Sequence, residues 1–153
     1  MLHRTRAFTL LETLMAVGII LMIGALTLAS LNSFRAQKTM DAAVEELLAA
    51  FSQAHFDTIS SKNDLQYGVH LDANQAVYYI GPSYLSGSTT NIIYPIPTVI
   101  EIANISLAGG GNNVLFQRLS GGTDQYGTFD VRVRGNPSLM TRVTINGTGA
   151  ISL

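Results

Sequence analysis

The hydrophobic pattern of this chain changes twice, and each change predicts a different kind of element. Residues 13–34 form a run of 22 residues without a charged side chain. Residues 35–60 then carry apolar side chains at steps of three and four, the helical period, at Met40, Val44, Leu47, Leu48, Phe51, His55 and Ile59. From residue 61 onward, apolar residues alternate over short stretches bounded by turn residues, as in β-strands. The pattern therefore predicts a long helix followed by a β-rich head, residues 61–153.

The helix is expected to be continuous from Thr9 to Ser60. The first proline is Pro82, and no other breaker interrupts this part of the chain. A helix of about 50 residues follows, apolar all round in its first half and amphipathic in its second. His55 lies on the apolar stripe and is expected to pack in the core. The predicted fold class is α+β, with the helix packed on an antiparallel β-sheet head.

The strands of the head are predicted from alternation and turn residues. They cover residues 65–71, 76–80, 98–107, 114–119, 128–134, 140–145 and 150–153. Residues 72–75 and the pair Asn146-Gly147 predict hairpin turns. Residues 135–139 are expected to form a five-residue loop between two strands. That loop places Arg132 opposite Arg142.

The uncharged run of residues 13–34 spans roughly 33 Å as a helix, about one bilayer core. Because Arg4 and Arg6 precede it, the positive-inside rule predicts a cytoplasmic N-terminus. Two ordinary interpretations are a secretory signal peptide cleaved after Ala29 and a plain signal anchor. Glu12 fits neither well, since a carboxylate costs about 2.5–3.5 kcal/mol at the bilayer centre and less near the interface. A helix cap at Thr9 explains a helix start there, but not its place inside an apolar run.

The sequence Arg6-Ala7-Phe8-Thr9-Leu10-Leu11-Glu12 resembles the processing site of type IV prepilins and type II secretion pseudopilins. The resemblance implies that prepilin peptidase cleaves between Ala7 and Phe8 and methylates the new amine of Phe8. Glu12 matches the acidic residue that the family carries four positions after that phenylalanine. Ala7 stands where most members have glycine. The implied organisation is a leader (1–7), a transmembrane and filament-core helix (8–34), an amphipathic continuation (35–60) and the head (61–153).

The head also carries a resemblance, to GspH/FimT-type minor pseudopilins and minor pilins. The residues concerned are Phe116, Gly121-Gly122, Gly127-Thr128-Phe129 and Thr148-Gly149-Ala150-Ile151. The two resemblances imply a structural subunit of a type IV pilus or type II secretion pseudopilus, and not an enzyme. They imply a single-pass prepilin in the inner membrane that later enters a periplasmic or extracellular filament. The implied partners are other pilin or pseudopilin subunits, prepilin peptidase and the inner-membrane assembly platform.

The formal net charge of −1 hides an uneven distribution, +2 in residues 1–7 and −3 in residues 8–153. Four of the bases lie late in the chain, at Arg118, Arg132, Arg134 and Arg142. The ordinary interpretation is a solvated strand face partly neutralised by Asp130. The alternative is an anionic partner, since some FimT-like minor pilins are associated with DNA binding in natural transformation. The resemblance therefore allows a DNA-binding minor pilin that acts in DNA uptake.

The residue types exclude several kinds of chemistry. The chain has no cysteine, so it holds no disulfide, thiolate metal site or thiol nucleophile. His3, His55 and His70 lack the spacing of metal ligands, and no nucleophile elbow accompanies them. We expect no cofactor, no metal ion and no catalytic residue.

Overall fold

The computed structural model of this protein describes residues 8–153, with a long helix as its first element. Helix α1 runs over Leu10–Ile59, 50 residues, which confirms the continuous helix that the sequence predicts. The chain divides into two units, one up to Arg35 and one over Ala36–Leu153. The second unit contains the later part of α1, a short 3₁₀ helix over Lys62–Asp64 and the head.

The head consists of two four-stranded antiparallel sheets, so the predicted α+β class is confirmed. The first sheet contains β1 (Tyr67–Asp72), β2 (Gln75–Ile80), β3 (Ile92–Pro95) and β5 (Asn113–Leu115) in the order β3-β2-β1-β5. The second sheet contains β4 (Ile100–Leu107), β6 (Gly127–Val133), β7 (Asn136–Ile145) and β8 (Ile151–Ser152) in the order β4-β6-β7-β8. Every pairing joins antiparallel neighbours, including the pairs β1–β5 and β4–β6, whose strands are not consecutive in the chain.

The core forms where the amphipathic part of α1 packs on the strands. From the predicted stripe it buries Met40, Val44, Leu47 and Phe51, together with the alanines Ala43, Ala50 and Ala54. The ring of Phe51 stacks on that of Phe129 with the ring centroids 5.9 Å apart. The alanines lie on the same helical face, and their small side chains let the backbone of α1 approach its neighbours. Ile59, the last predicted member of the stripe, is exposed instead.

Strands β3 and β5 differ from the prediction for local reasons. Strand β3 was not predicted, because consecutive Ile92 and Ile93 are both exposed at a sheet edge and show no alternation. Strand β5 is shorter than predicted and ends at Leu115. The chain then turns, with the N–H of Gly121 donating to the carbonyl oxygen of Gln117 at 2.9 Å.

Candidate functional site

The start of α1 carries the described part of the predicted processing site. The backbone N–H of Glu12 donates to Thr9 Oγ1 at 3.3 Å and to the Thr9 carbonyl oxygen at 3.1 Å. Thr9 therefore caps the helix, as its place three residues before Glu12 predicts. Phe8 lies just before the cap with its side chain 78% exposed, and Glu12 is exposed in the first turn. Ala7 and the rest of the predicted leader, residues 1–7, lie outside the described residues.

The first part of α1 presents an apolar surface. Its large apolar side chains with described burial are all exposed: Leu10, Leu11, Leu14, Met15, Val17, Ile19, Ile20, Leu21, Met22, Ile23, Leu26, Leu31 and Phe34. An apolar surface of this extent marks a region that protein or lipid covers. Within the described residues, no helix combines the length and the hydropathy that crossing a membrane takes.

Each of the four arginines that the sequence singles out has a carboxylate partner. Arg118 follows β5, and its Nη2 lies 2.7 Å from Asp64 Oδ1 on the 3₁₀ helix. The other three lie on β6, in the turn after it and on β7, and they pair with acids of the second sheet. The structure therefore groups three of the four and gives Arg118 a separate partner.

Glu101 on β4 serves two of these arginines. Its Oε1 accepts a hydrogen bond of 2.6 Å from Arg132 Nε, and its Oε2 lies 3.7 Å from Arg134 Nη2. Arg134 Nη2 also donates to Asn74 Oδ1 at 2.8 Å, which ties the turn after β6 to the β1–β2 turn. The single negative charge of Glu101 thus offsets one of the two positive charges that Arg132 and Arg134 carry.

Arg142, itself 58% exposed, pairs with the most deeply buried of these three acids. Its Nε and Nη2 donate to the two carboxylate oxygens of Asp130 at 2.8 and 3.2 Å. Asp130 is only 1% exposed and also accepts from Asn104 Nδ2 at 2.8 Å. The hydrogen bond from Arg142 holds the pKa of Asp130 below its usual range, although burial opposes the shift. A bidentate pair of this kind fixes the position of both side chains.

The predicted register between β6 and β7 is wrong. Asp130 pairs with Arg142 and Arg132 pairs with Met140, so Arg132 does not face Arg142. A two-residue turn replaces the predicted five-residue loop, and the pairing shifts between Arg132 and Val133. The observed register differs from the predicted one by two residues, which leaves every side chain on its predicted face. The alternation of apolar and polar residues therefore could not distinguish the two registers.

Asp57 is a buried polar centre that the sequence analysis missed. Its carboxylate Oδ2 accepts hydrogen bonds from Tyr78 Oη (2.7 Å), Gln53 Nε2 (2.9 Å) and Lys62 Nζ (3.0 Å). Burial raises the pKa of Asp57, but the hydrogen bonds from Gln53, Tyr78 and Lys62 outweigh it and the net shift is downward. An acid three residues after the buried Ala54 was the available signal, since that spacing lies on one helical face.

His55, which the sequence predicts to pack in the core, is half-buried at the edge of the core and contacts its member Phe116. Its ring lies edge-on to that of Phe116 with 5.2 Å between centroids, and its buried Nε2 has no hydrogen-bond partner. Across residues 8–153, no group of three His, Asp or Glu side chains is arranged to hold a metal ion.

Two solved structures are similar to this chain, both of the type IV minor pilin FimU of Pseudomonas aeruginosa. One has a TM-score of 0.57 at 17% identity and covers 78% of this chain and 91% of that chain. The other has a TM-score of 0.52 at 18% identity, and the match covers 74% of this chain and 90% of that chain. The chain has a type IV pilin-like fold. No protein-family model matches the chain, and no curated protein does.

The pilin-like fold agrees with the resemblance that the sequence shows to type IV pilins. At these identities the likeness concerns the fold alone, so residue roles have to be argued from this chain. Both structures are of a type IV minor pilin.

Proposed function

We propose that this chain is a structural subunit of a filament of the type IV pilus class, assembled through the first part of α1. The observation that carries the proposal is the exposed apolar surface of that helix in a pilin-like fold. Such a surface is stable when lipid covers it before assembly and neighbouring subunits cover it afterwards. The sequence favours a minor subunit, either of a pilus or of a type II secretion pseudopilus.

In the proposed pathway the chain inserts in the inner membrane with its N-terminus in the cytoplasm. The uncharged run of residues 13–34 and the preceding Arg4 and Arg6 support this orientation. Prepilin peptidase then removes residues 1–7 and methylates Phe8. The processed chain next binds the assembly platform of the inner membrane. Mass spectrometry of purified filaments tests this step, and we expect a methylated chain that starts at Phe8. A chain that starts at Met1 or at Ser30 contradicts it.

Glu12 is the residue to which we assign the assembly contact. The new amine of Phe8 is a cation in apolar surroundings, and an unpaired charge there is costly. Glu12 of one subunit offsets that cost by pairing with Phe8 of a neighbour, and this pairing sets the register of the filament. Both residues are exposed at the start of α1, as the contact requires.

The variant Glu12→Ala tests the assembly contact. We expect it to insert in the membrane normally and to be lost from sheared filaments, measured by immunoblot of the two fractions. Glu46→Ala is the matched control, because Glu46 is an exposed acid later on the same helix. Normal incorporation of Glu12→Ala contradicts the assigned role, whereas loss of both variants shows that any missing acid on α1 has this effect.

DNA binding by the head, the alternative function, stays a prediction. The four arginines face three carboxylates, which leaves a charge of +1 in this set and a weak field for phosphate. If the head binds DNA through this surface, the purified chain shifts DNA in a mobility-shift assay at low salt. The double variant Arg134→Ala, Arg142→Ala then weakens that shift. If the purified chain gives no shift at low salt, this function is excluded.

A further inference from the structure

A small cleft opens on the first sheet of the head. Its volume is about 240 Å³, and its lining comes from β2, β5 and the adjoining loops. The lining residues are Tyr79, Pro82, Ser83, Gly110, Asn113, Leu115 and Gln125. None of these residues is an acid or a base at neutral pH, so the described lining brings no charged group to the cleft.

Tyr79 lines this cleft and supplies a hydroxyl group to it. The residue is 1% exposed, yet no described residue forms a hydrogen bond with its hydroxyl group. The ring is held in place, since a Cβ atom at Gly68 would lie 2.5 Å from Tyr79 Cζ and Tyr84 packs edge-on at 5.8 Å. Burial raises the pKa of Tyr79 to about 12, so the hydroxyl group keeps its proton at neutral pH. The hydroxyl group is not among the fully buried polar atoms of the described residues, so it is available to a ligand in the cleft.

Two amide side chains line the cleft, and in each the oxygen contacts a neighbouring residue while the NH₂ group has no partner among the described residues. Asn113 Oδ1 lies 2.7 Å from His70 Nδ1 and accepts from it when that nitrogen carries the ring proton. Gln125 Oε1 accepts from the backbone N–H of Leu115 at 3.1 Å and from Thr123 Oγ1 at 3.4 Å. The two bonds to Gln125 Oε1 fix the orientation of that amide. Each amide therefore presents an NH₂ group with two donors that no described residue engages.

We propose that this cleft binds a neutral carbohydrate, with Tyr79, Asn113 and Gln125 as its hydrogen-bonding groups. Sugar hydroxyl groups accept from the amide N–H groups and both donate to and accept from the hydroxyl groups of Tyr79 and Ser83. Pro82 and Leu115 supply apolar surface for the C–H face of a sugar ring. The wall offers no charged partner to an ion, and a few placed polar groups orient a neutral ligand.

The same contacts disfavour an added peptide strand. Strand β5 lies at the edge of the first sheet, where an extended peptide adds by pairing with free backbone groups. The backbone N–H of Leu115 on that edge is already bound by Gln125 Oε1. This inference goes beyond the proposed filament role, and its test uses the purified chain and needs no filament.

Saturation-transfer NMR on the full chain, in a zwitterionic detergent without a sugar head group, tests the proposal. The probes are glucose, galactose, mannose and N-acetylglucosamine, each at millimolar concentration. We expect at least one to bind, and Tyr79→Phe to weaken its binding about 2- to 12-fold through the lost hydrogen bond. Gln125→Glu keeps the oxygen that Leu115 needs, replaces the NH₂ group, and is expected to weaken binding as well.

Tyr126→Phe is the matched control, because Tyr126 is 56% exposed and does not line the cleft. Thermal unfolding shows whether each variant is folded. If Tyr79→Phe does not fold, Gln125→Glu still tests the cleft. The proposal is overturned if none of the four sugars binds. It is also overturned if both cleft variants bind like the unchanged chain, or if trialanine binds with this dependence while the sugars do not.

Discussion

The buried carboxylate of Asp57 joins the end of α1 to the first sheet. Its three donors come from α1, from the 3₁₀ helix and from β2, so this one residue connects elements that are separate in the sequence. Asp57 is 3% exposed, and a buried charge is tolerated only while its hydrogen bonds are made. The stability of this junction therefore depends on each donor.

Replacing Tyr78 by phenylalanine removes the shortest of these bonds. We expect Tyr78→Phe to lower the free energy of unfolding by about 1.5–3 kcal/mol, the range for hydrogen bonds to charged groups. Urea unfolding of residues 36–153, followed by circular dichroism, measures the change. Tyr126→Phe should leave the free energy unchanged, because that side chain is 56% exposed. Equal effects of the two substitutions would contradict this role of Tyr78.

The lowered pKa values of Asp57 and Asp130 predict destabilisation by acid. In the folded state these carboxylates release their protons at lower pH than in the unfolded chain, where the ordinary value is 3.8. Their contribution is thus fully present above about pH 5 and is lost as the pH falls through 3.8 and below. Urea midpoints between pH 7 and pH 2.5 should fall at the acid end, and less steeply in Asp57→Asn. A parallel decline in both proteins would assign the acid sensitivity to other groups.

The sequence identified the four arginines but not their partners. Glu101 lies 31 positions from Arg132, and Asp64 lies 54 positions from Arg118. No local pattern connects residues so far apart, because the contacts depend on how β4 and the 3₁₀ helix pack. Asp57 was missed for the opposite reason. Its spacing was visible on the helical face, but an acid there is ordinarily exposed.

Among the elements, those with local signals were predicted best. Helix α1 follows from the absence of breakers, and the β1–β2 hairpin follows from its turn, with Asp72 paired to Gln75. The β6–β7 register was not predictable, because a shift of two residues preserves the face of every side chain. The β7–β8 connection does begin at Asn146-Gly147. It is longer than a two-residue turn, since Ile145 pairs with Ile151.

Gly149 in this connection is required by packing as well as by backbone conformation. Its φ is 82°, and a Cβ atom there would collide with the carbonyl oxygen of Gly121 and lie 2.9 Å from His55. Gly110 has a similar φ of 75° but open space around it. We expect Gly110→Ala to cost about 1–2 kcal/mol from the backbone alone. Gly149→Ala should cost a further 1–3 kcal/mol from the collision.

Chemical denaturation of the two glycine variants measures this difference. A larger loss for Gly149→Ala shows that the β7–β8 connection packs closely on the loop before β6 and on α1. If the two variants lose the same stability, only the backbone conformation matters at Gly149 and the packing argument fails.

Over the whole molecule, the sequence predicted a helix and a β-rich head but did not predict two separate sheets. Alternation marks a strand and its buried face, whereas the choice of sheet depends on contacts between distant strands. Strands β4 and β5 are consecutive in the chain and belong to different sheets. The core shared by α1 and the strands begins at Met40, with Ala36 packed against it. No member of that core lies before residue 36 in the described part of the chain.

This distribution predicts that residues 36–153 fold without the first part of α1. Removing residues 1–35 takes away the exposed apolar side chains of the first part of α1 and leaves the core residues in place. We expect the shortened chain to be monomeric in detergent-free buffer by size-exclusion chromatography and to unfold cooperatively on heating. The full chain should require detergent under the same conditions, because its uncovered apolar surface drives association. If the shortened chain aggregates or unfolds without a cooperative transition, the first part of α1 contributes to the stability of the head.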